Sequence, residues 1–396
     1  RDEVVRREFR QYESSWYDGE KIRLSRDRVD RLGYFTEVGI ETQEVPGSPD
    51  QVDLVISVAE KPTGSLQLGA GFSSAEKVSL SFAVKQENVF GSGNYLGVDV
   101  NTSKYRRTLV FSTTNPYFTQ DGISRTLDLY YRTDKPYEDQ GGNYQLVTTG
   151  ASMRFGVPFS ETDTVFFGGG IEQTKIKPGT NIPAAYLAYA DTYGFSSNSI
   201  PLTIGWSRDD RDSALAPNSG RYQRLNSEWS VAGDARYLRA NYQYQQYIPL
   251  NKRFTVAFNG ELGYGKGMNG RPFPVFKNFY SGGLGSVRGF DQGTLEPRDV
   301  TGASLGGPKK VTLNAELMVP FPGAGNDRTL RLFTFVDVGN VYGENDKVSF
   351  SDMRASAGVG LSWISPLGPL RLAYAQPVRK FAGDRIQKLQ FQIGTS

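Results

Sequence analysis

Gly64-Ser65-Leu66-Gln67-Leu68-Gly69-Ala70-Gly71-Phe72 decides the fold. Leu66, Leu68, Ala70 and Phe72 alternate with Ser65, Gln67, Gly69 and Gly71, the period-two pattern of a strand with one apolar face. The pattern repeats downstream: Val78, Leu80, Phe82 and Val84 oppose Ser79, Ser81 and Lys85. Leu202, Ile204 and Trp206 continue it, as do Phe254, Val256, Phe258 and Leu262 against Thr255, Asn259 and Glu261. Near the C-terminus it returns in Ala355–Trp363, Leu370–Tyr374 and Leu389–Ile393. Such segments recur roughly every 20 residues, about 16 in all, each close to the length a tilted strand needs to cross a bilayer. A soluble sandwich also alternates, but this many strands would need two domains and a seam between them. No linker or break in composition follows residue 63. Evenly spaced strands without a seam predict one closed barrel, which also removes exposed strand edges.

Composition agrees with this and narrows the function. Mean hydropathy is −0.45, and no run of 18 apolar residues is present, so helices do not span a membrane; a barrel, whose faces alternate, is compatible with such a low mean. Aromatics make up 13% of the chain, with 22 Tyr, 24 Phe and 45 Gly, which suits short strands, tight turns and interfacial girdles. A net charge of +3 is too small to point to nucleic acid. Histidine and cysteine are absent, which removes Ser-His-Asp, Cys-His and His- or Cys-ligated metal chemistry. The expectation is of a protein that is not an enzyme and has neither cofactor nor metal.

Residues 1–61 read differently from residues 62–396. Val5, Phe9, Tyr12 and Trp16 recur at helical spacing, predicting a helix from Asp2 through that stretch. Ile22, Val29 and Leu32 form a second stripe, closed by Gly33 as a helix C-cap. Val38, Ile40 and Thr42 alternate, Pro46–Asp50 make a turn, and Val52, Leu54, Ile56 and Val58 alternate again. The order is helix, helix, strand, strand. A hairpin under two helices is marginal by itself, so a strand before Arg1 is expected. The arginines Arg1, Arg6, Arg7 and Arg10 are read as a solvated face. No signal peptide is visible at Arg1; in a secreted chain it would already have been removed.

Between the barrel segments, tight connections stand at Gly91–Asn94 and Pro366–Gly368, and long ones at about 175–198, 265–309 and 343–352. Short inner turns and long outer loops are the expected asymmetry. The longest connection contains Phe279-Tyr280-Ser281-Gly282-Gly283 and Val287-Arg288-Gly289-Phe290. So glycine-rich a loop can fold back into a lumen, where an arginine would need carboxylates. Parity supplies them. Thr312, Asn314 and Glu316 share the polar face of one segment, and Arg331, Phe333, Phe335 and Asp337 share the inner face of the next. Glu316 and Asp337 are therefore the expected lumen partners of Arg288, against the plainer reading of solvated wall acids.

These motifs, with Leu32-Gly33-Tyr34-Phe35, Thr114-Asn115-Pro116-Tyr117-Phe118 and Ser365-Pro366-Leu367-Gly368-Pro369, resemble the BamA family along the whole chain. Its members are central subunits of the bacterial outer-membrane β-barrel assembly machinery. The resemblance implies a 16-stranded antiparallel transmembrane β-barrel preceded by a small α/β POTRA domain of order β-α-α-β-β, here the last such domain with its first strand missing. It assigns Arg288 as the motif arginine, with Glu316 and Asp337 as its partners. It also implies a function: folding and inserting unfolded outer-membrane proteins, with accessory lipoproteins as partners, from the outer membrane and with the POTRA domain in the periplasm.

Insertion without ATP would need an openable edge where the first strand, about Gly64–Phe72, meets the last, about Lys388–Gly394. Gly64, Leu66, Leu68, Gly69, Gly71, Leu389, Phe391, Ile393 and Gly394 are the candidate seam. Two departures from the family stand out: Asp291–Pro308 is short, and an aromatic residue is expected after Ser396. A two-partner-secretion or translocation-and-assembly barrel is the alternative. A porin would lack the front domain, and a TonB-dependent transporter would need a far larger plug.

Overall fold

The computed structural model describes residues 1–136, 143–160, 162–214, 216–295, 297–325, 327–366 and 368–394. Leu367 of the Ser365–Pro369 motif and the expectation of an aromatic residue after Ser396 lie outside them.

The front unit runs α1 (Asp2–Arg6), α2 (Gly19–Arg31), β1 (Phe35–Val45) and β2 (Ser48–Glu60). The two strands pair antiparallel around a two-residue Pro46-Gly47 turn. Val4, Val5, Phe9, Val29, Tyr34, Phe35 and Val38 form its core, with Leu32, Ile40 and Ile56 against it. The first helix is shorter than its apolar spacing predicts. It stops at Arg6, and Tyr12 and Trp16 are exposed. Just beyond Arg6 the chain closes tight turns, Glu8 and Phe9 N–H donating to the Val5 and Arg6 carbonyls at 3.1 and 3.0 Å; further on, Ser14 has φ +61°, and Asp18 starts a new helix by accepting from the Glu20 and Lys21 N–H groups at 3.0 and 3.2 Å. Gly33 follows α2 with φ +73°, as its C-cap position requires.

The barrel begins with β3 (Gly64–Ser73), β4 (Lys77–Gln86), β5 (Tyr95–Ser103), β6 (Arg106–Asn115), β7 (Ser124–Asp134) and β8 (Gln145–Pro158). It continues with β9 (Asp163–Lys177), β10 (Ser196–Asp209), β11 (Gly220–Gly233), β12 (Tyr237–Pro249) and β13 (Thr255–Gly267). After the two-residue β14 (Gly289–Phe290) come β15 (Lys309–Pro320), β16 (Leu330–Tyr342), β17 (Arg354–Ser365) and β18 (Gly368–Arg379). The short β19 (Ile386–Gln387) precedes β20 (Leu389–Gly394). Among the described residues sixteen strands close into one antiparallel barrel, β20 meeting β3; β14 and β19 pair separately.

Alternation does its expected work. Leu66, Leu68, Leu80, Ile171, Ile204, Val336 and Val359 stand outward and exposed, an apolar wall that requires hydrocarbon around it. Inward, Thr312, Phe333, Phe335, Asp337 and Ser356 are buried. No helix among the described residues is long and apolar enough to cross a membrane.

The expected loop asymmetry holds only in part. The long outer connections are residues 178–195, carrying α3 (Ala184–Tyr193), and residues 268–308 and 343–353. On the same side, residues 74–76, 104–105 and 234–236 make tight turns.

The front unit sits on the inner turns. The Arg1 backbone nitrogen donates to the Gly91 carbonyl at 3.1 Å, and the Tyr34 hydroxyl donates to that of Gly93 at 3.4 Å. Arg28 donates to the Tyr117 hydroxyl at 3.3 Å while holding Glu8 at 2.9 Å, and the Arg7 guanidinium lies 4.5 Å from the Tyr117 ring centre. Arg7 is thus not part of a solvated face, and Tyr117 of the Thr114–Phe118 motif receives two arginines.

Removing the cap tests the account of α2. Asp18→Ala should cost about 0.5–2 kcal/mol locally, read as faster amide exchange in Gly19–Arg31 of the intact chain while the barrel strands keep their protection.

Candidate functional site: a loop tied into the lumen

The connection from β13 to β15, residues 268–308, folds back into the barrel, and Val287-Arg288-Gly289-Phe290 lies at its deepest point, with Val287 and Phe290 fully buried. Gly282 and Gly283 both have positive φ, so the chain can double back: Gly283 N–H donates to the Val287 carbonyl at 3.0 Å. At Gly289, φ is +90°, and an added Cβ would stand 3.0 Å from Ala375 Cβ. Only glycine fits there without strain.

Arg288 is 2% exposed. Its Nε and Nη2 donate to the two oxygens of Asp337 at 2.7 and 2.6 Å, and its backbone N–H adds a third bond at 3.0 Å. Its Nη1 donates to Glu316 at 2.5 Å. The guanidinium lies 3.6 Å from the Phe335 ring centre. Asn314 donates to both Asp337 and the Ser286 carbonyl, at 2.8 and 2.6 Å, and Arg371 reaches Glu316 at 2.5 Å. Burying a guanidinium costs several kcal/mol, which is offset only when its donors are matched, as in this forked pairing. The arrangement holds a loop, and no metal-binding cluster of acids is found among the described residues.

Two further anchors were not foreseen. Lys277 donates to Glu172 on β9 at 2.7 Å and to Glu228 on β11 at 3.0 Å. Tyr130 on β7 donates to Glu172 at 2.6 Å, Tyr237 donates to Glu228, and Arg239 on β12 donates to the Lys277 carbonyl at 3.0 Å. The signal was present, as acids on inward positions of two strands and a lone lysine beside Phe279-Tyr280, but the strands lie far away in sequence. On the outer side Asp384 accepts from Arg354 at 2.9 Å and from Arg298 of the loop at 2.7 Å. Burial alone would raise the Asp384 carboxyl; the hydrogen bonds from Arg354, Arg298 and the Phe381 N–H outweigh it and hold it below the usual carboxylate range.

The seam candidates fall into two groups. Gln392, Ile393 and Gly394 of β20 pair with Ser73, Phe72 and Gly71. Phe391 accepts from Ser74 N–H at 2.9 Å, and its ring lies 5.4 Å from that of Phe72. Gly394 has φ +78°, and a Cβ there would meet the Ala70 carbonyl at 2.4 Å. Gly64, Leu66, Leu68 and Gly69 pair with β4 and, among the described residues, find no partner on β20. Leu389 pairs with Tyr374 of β18.

An apolar outer wall, a sixteen-strand closure and an outer loop tied by arginine to lumen acids define a transmembrane barrel of the outer-membrane class. The Omp85 superfamily domain matches residues 88–396, and a POTRA model, described as a surface antigen variable number repeat, matches residues 1–61. The chain belongs to the Omp85 superfamily, and its barrel lies in the outer membrane with the POTRA unit on the periplasmic side.

Among curated proteins it is similar to the outer membrane protein assembly factor BamA of Neisseria meningitidis, 38% identical over all of this chain and 55% of that protein. It is also similar to BamA of Nitratidesulfovibrio vulgaris, 30% identical over 96% of this chain and 47% of that protein. The chain thus spans about half the length of these relatives. The crystal structure of Haemophilus ducreyi BamA lacking POTRA domains 1–3 superposes with a TM-score of 0.90 at 28% identity, covering all of this chain and 82% of that one. CdiB from Acinetobacter baumannii shares the fold at TM-score 0.61 and 14% identity, over 98% of this chain and 70% of that one.

Asp337→Asn leaves the buried Arg288 half-paired, which should cost about 3–5 kcal/mol of loop anchorage. Trypsin would then cut after Arg288 in the folded barrel, where the wild-type chain resists. For Asp384 the folded carboxyl lies below its unfolded value. Its contribution is therefore complete at neutral pH and is lost as the pH falls below about 4. Amide exchange in residues 380–388 should quicken there, and Asp384→Asn should show the quickening already at pH 7.

Proposed function

We propose that this chain is the barrel and last POTRA domain of a central assembly subunit, which folds β-barrel proteins and inserts them into the outer membrane through the closure between β3 and β20. The observation that carries the reading is the shortness of that closure. Among the described residues, most neighbouring barrel strands pair along almost their whole length, whereas β20 and β3 share Gln392–Ser73, Ile393–Phe72 and Gly394–Gly71. An unpaired N–H or C=O group is costly in hydrocarbon, so an under-paired strand is a template for another strand. An incoming strand that adds to β3 regains those bonds by β-augmentation, with no ATP and no covalent step.

In this reading residues 1–61 receive unfolded outer-membrane proteins in the periplasm and meet accessory lipoproteins, and residues 62–396 form the barrel that inserts them. Arg288 with Glu316 and Asp337 keeps the loop inside the barrel. Gly64, Leu66, Leu68 and Gly69 offer the accepting edge, and Gly71, Phe391, Ile393 and Gly394 the releasable one. The name shared by the curated relatives, assembly factor, supports assembly over the two-partner-secretion reading.

A reversible lock tests it. Phe72 and Ile393 are directly paired, close enough for a disulfide, and the chain has no native cysteine. The oxidised Phe72→Cys, Ile393→Cys chain in proteoliposomes should insert no test barrel, and reductant should restore insertion. Full insertion by the locked form would refute the lateral route.

A further inference from the structure

The buried polar side chain of Gln390 is not used by the reading above. It lies on β20, points inward and is 1% exposed. Its Nε2 donates to the Phe290 carbonyl at 2.7 Å, and its Oε1 accepts from the Gly289 N–H at 3.2 Å. One amide thus satisfies two backbone groups of the loop motif, immediately after Arg288. The same contact is extended by β14 against β19, where Gly289 pairs with Gln387 and Phe290 with Ile386, and by the Asp291 N–H donating to the Arg385 carbonyl at 2.9 Å. Ala373 and Ala375 on β18, small and buried, leave room for the loop to lie this close.

The position on β20 matters. Gln390 pairs with Ala373 of β18 and precedes the three residues that reach β3. The loop therefore grips the last strand just before its weak closure. Because Arg288 and Gly289 are adjacent, the ion pair that fixes the loop to β15 and β16 also fixes where this grip falls.

We propose that Gln390 is a positioning residue that couples the Arg288 anchor to the last barrel strand, so that the loop holds β20 in register for closure. Releasing either the anchor or the amide frees β20 and opens the wall. The inference rests on the reading that this closure opens. Its two backbone bonds lie inside a buried network, so the effects of the anchor and the amide should not add.

Strand separation, rather than assembly, is the readout. Spin labels at Leu129→Cys on β7 and Leu389→Cys on β20 span the closure; labels at Ile204→Cys on β10 and Val336→Cys on β16 report the opposite wall. All four positions face outward and are exposed. In the full chain in lipid nanodiscs, Gln390→Leu should add a longer distance population across the closure and leave the opposite wall unchanged. Asp337→Asn should do the same, and the double variant should go no further. An unchanged distance across the closure in Gln390→Leu overturns the proposal. So does broadening of both pairs, which would mean general loosening, and so do additive effects.

If Gln390→Leu does not give a folded, heat-modifiable barrel, Gln390→Glu is measured instead. It keeps the acceptor for Gly289 and loses the donor to Phe290, and is held to the same outcomes. A wild-type chain that opens but inserts no test barrel would count against assembly and leave the coupling standing.

Discussion

The deepest-buried charge of the lumen loop is one guanidinium, 2% exposed. Arg288 is held by Asp337 through both carboxylate oxygens and a backbone bond, and by Glu316 from the same inner face. A charge so enclosed cannot be left half-satisfied, since the cost of stranding it exceeds what most single contacts contribute. The loop therefore has one place to be, and the glycines at 282, 283 and 289 let the backbone reach it. Lys277 between Glu172 and Glu228, and Arg298 on Asp384, then fix the two sides of the same loop. Three ion-pair groups tie one connection to strands β9, β11, β15, β16 and β17 and to the segment after β18.

How much of this could be read from sequence follows from the range of the interactions. Strand alternation is local, so the barrel and its inward face were legible residue by residue. Glu316 and Asp337 were legible because β15 and β16 are consecutive, and two local parities place both acids inside. Lys277 was not, because Glu172 lies 105 residues away and Glu228 lies 49 residues away; no local pattern joins them. The role of Gln390 was not legible either, since its partners are backbone atoms 100 and 101 residues earlier. The first helix failed for a different reason: its apolar spacing persists to Trp16, but Ser14 takes a left-handed backbone and the helix is already over.

The closure is built differently from the rest of the wall. The other strands are held by long ladders, and removing one would expose many backbone groups to hydrocarbon. Among the described residues the ladder of β20 is short on its β3 side, and the same strand takes side-chain bonds to the lumen loop through Gln390. In the proposed route, these polar contacts rather than a long ladder are what an incoming strand must release.

The seating of the front unit has a mechanical consequence. Gly91 and Gly93 lie in the turn between β4 and β5, and Tyr117 in the turn between β6 and β7. The loop's ion pairs described above all land on the other arc of the wall. The unit and the loop therefore hold opposite sides of the same gap, like two hands on a split ring. In the proposed function, a twist of the front unit would be delivered as torque to β4–β7 while the loop braces the other arc, and the join between β3 and β20 would carry that load.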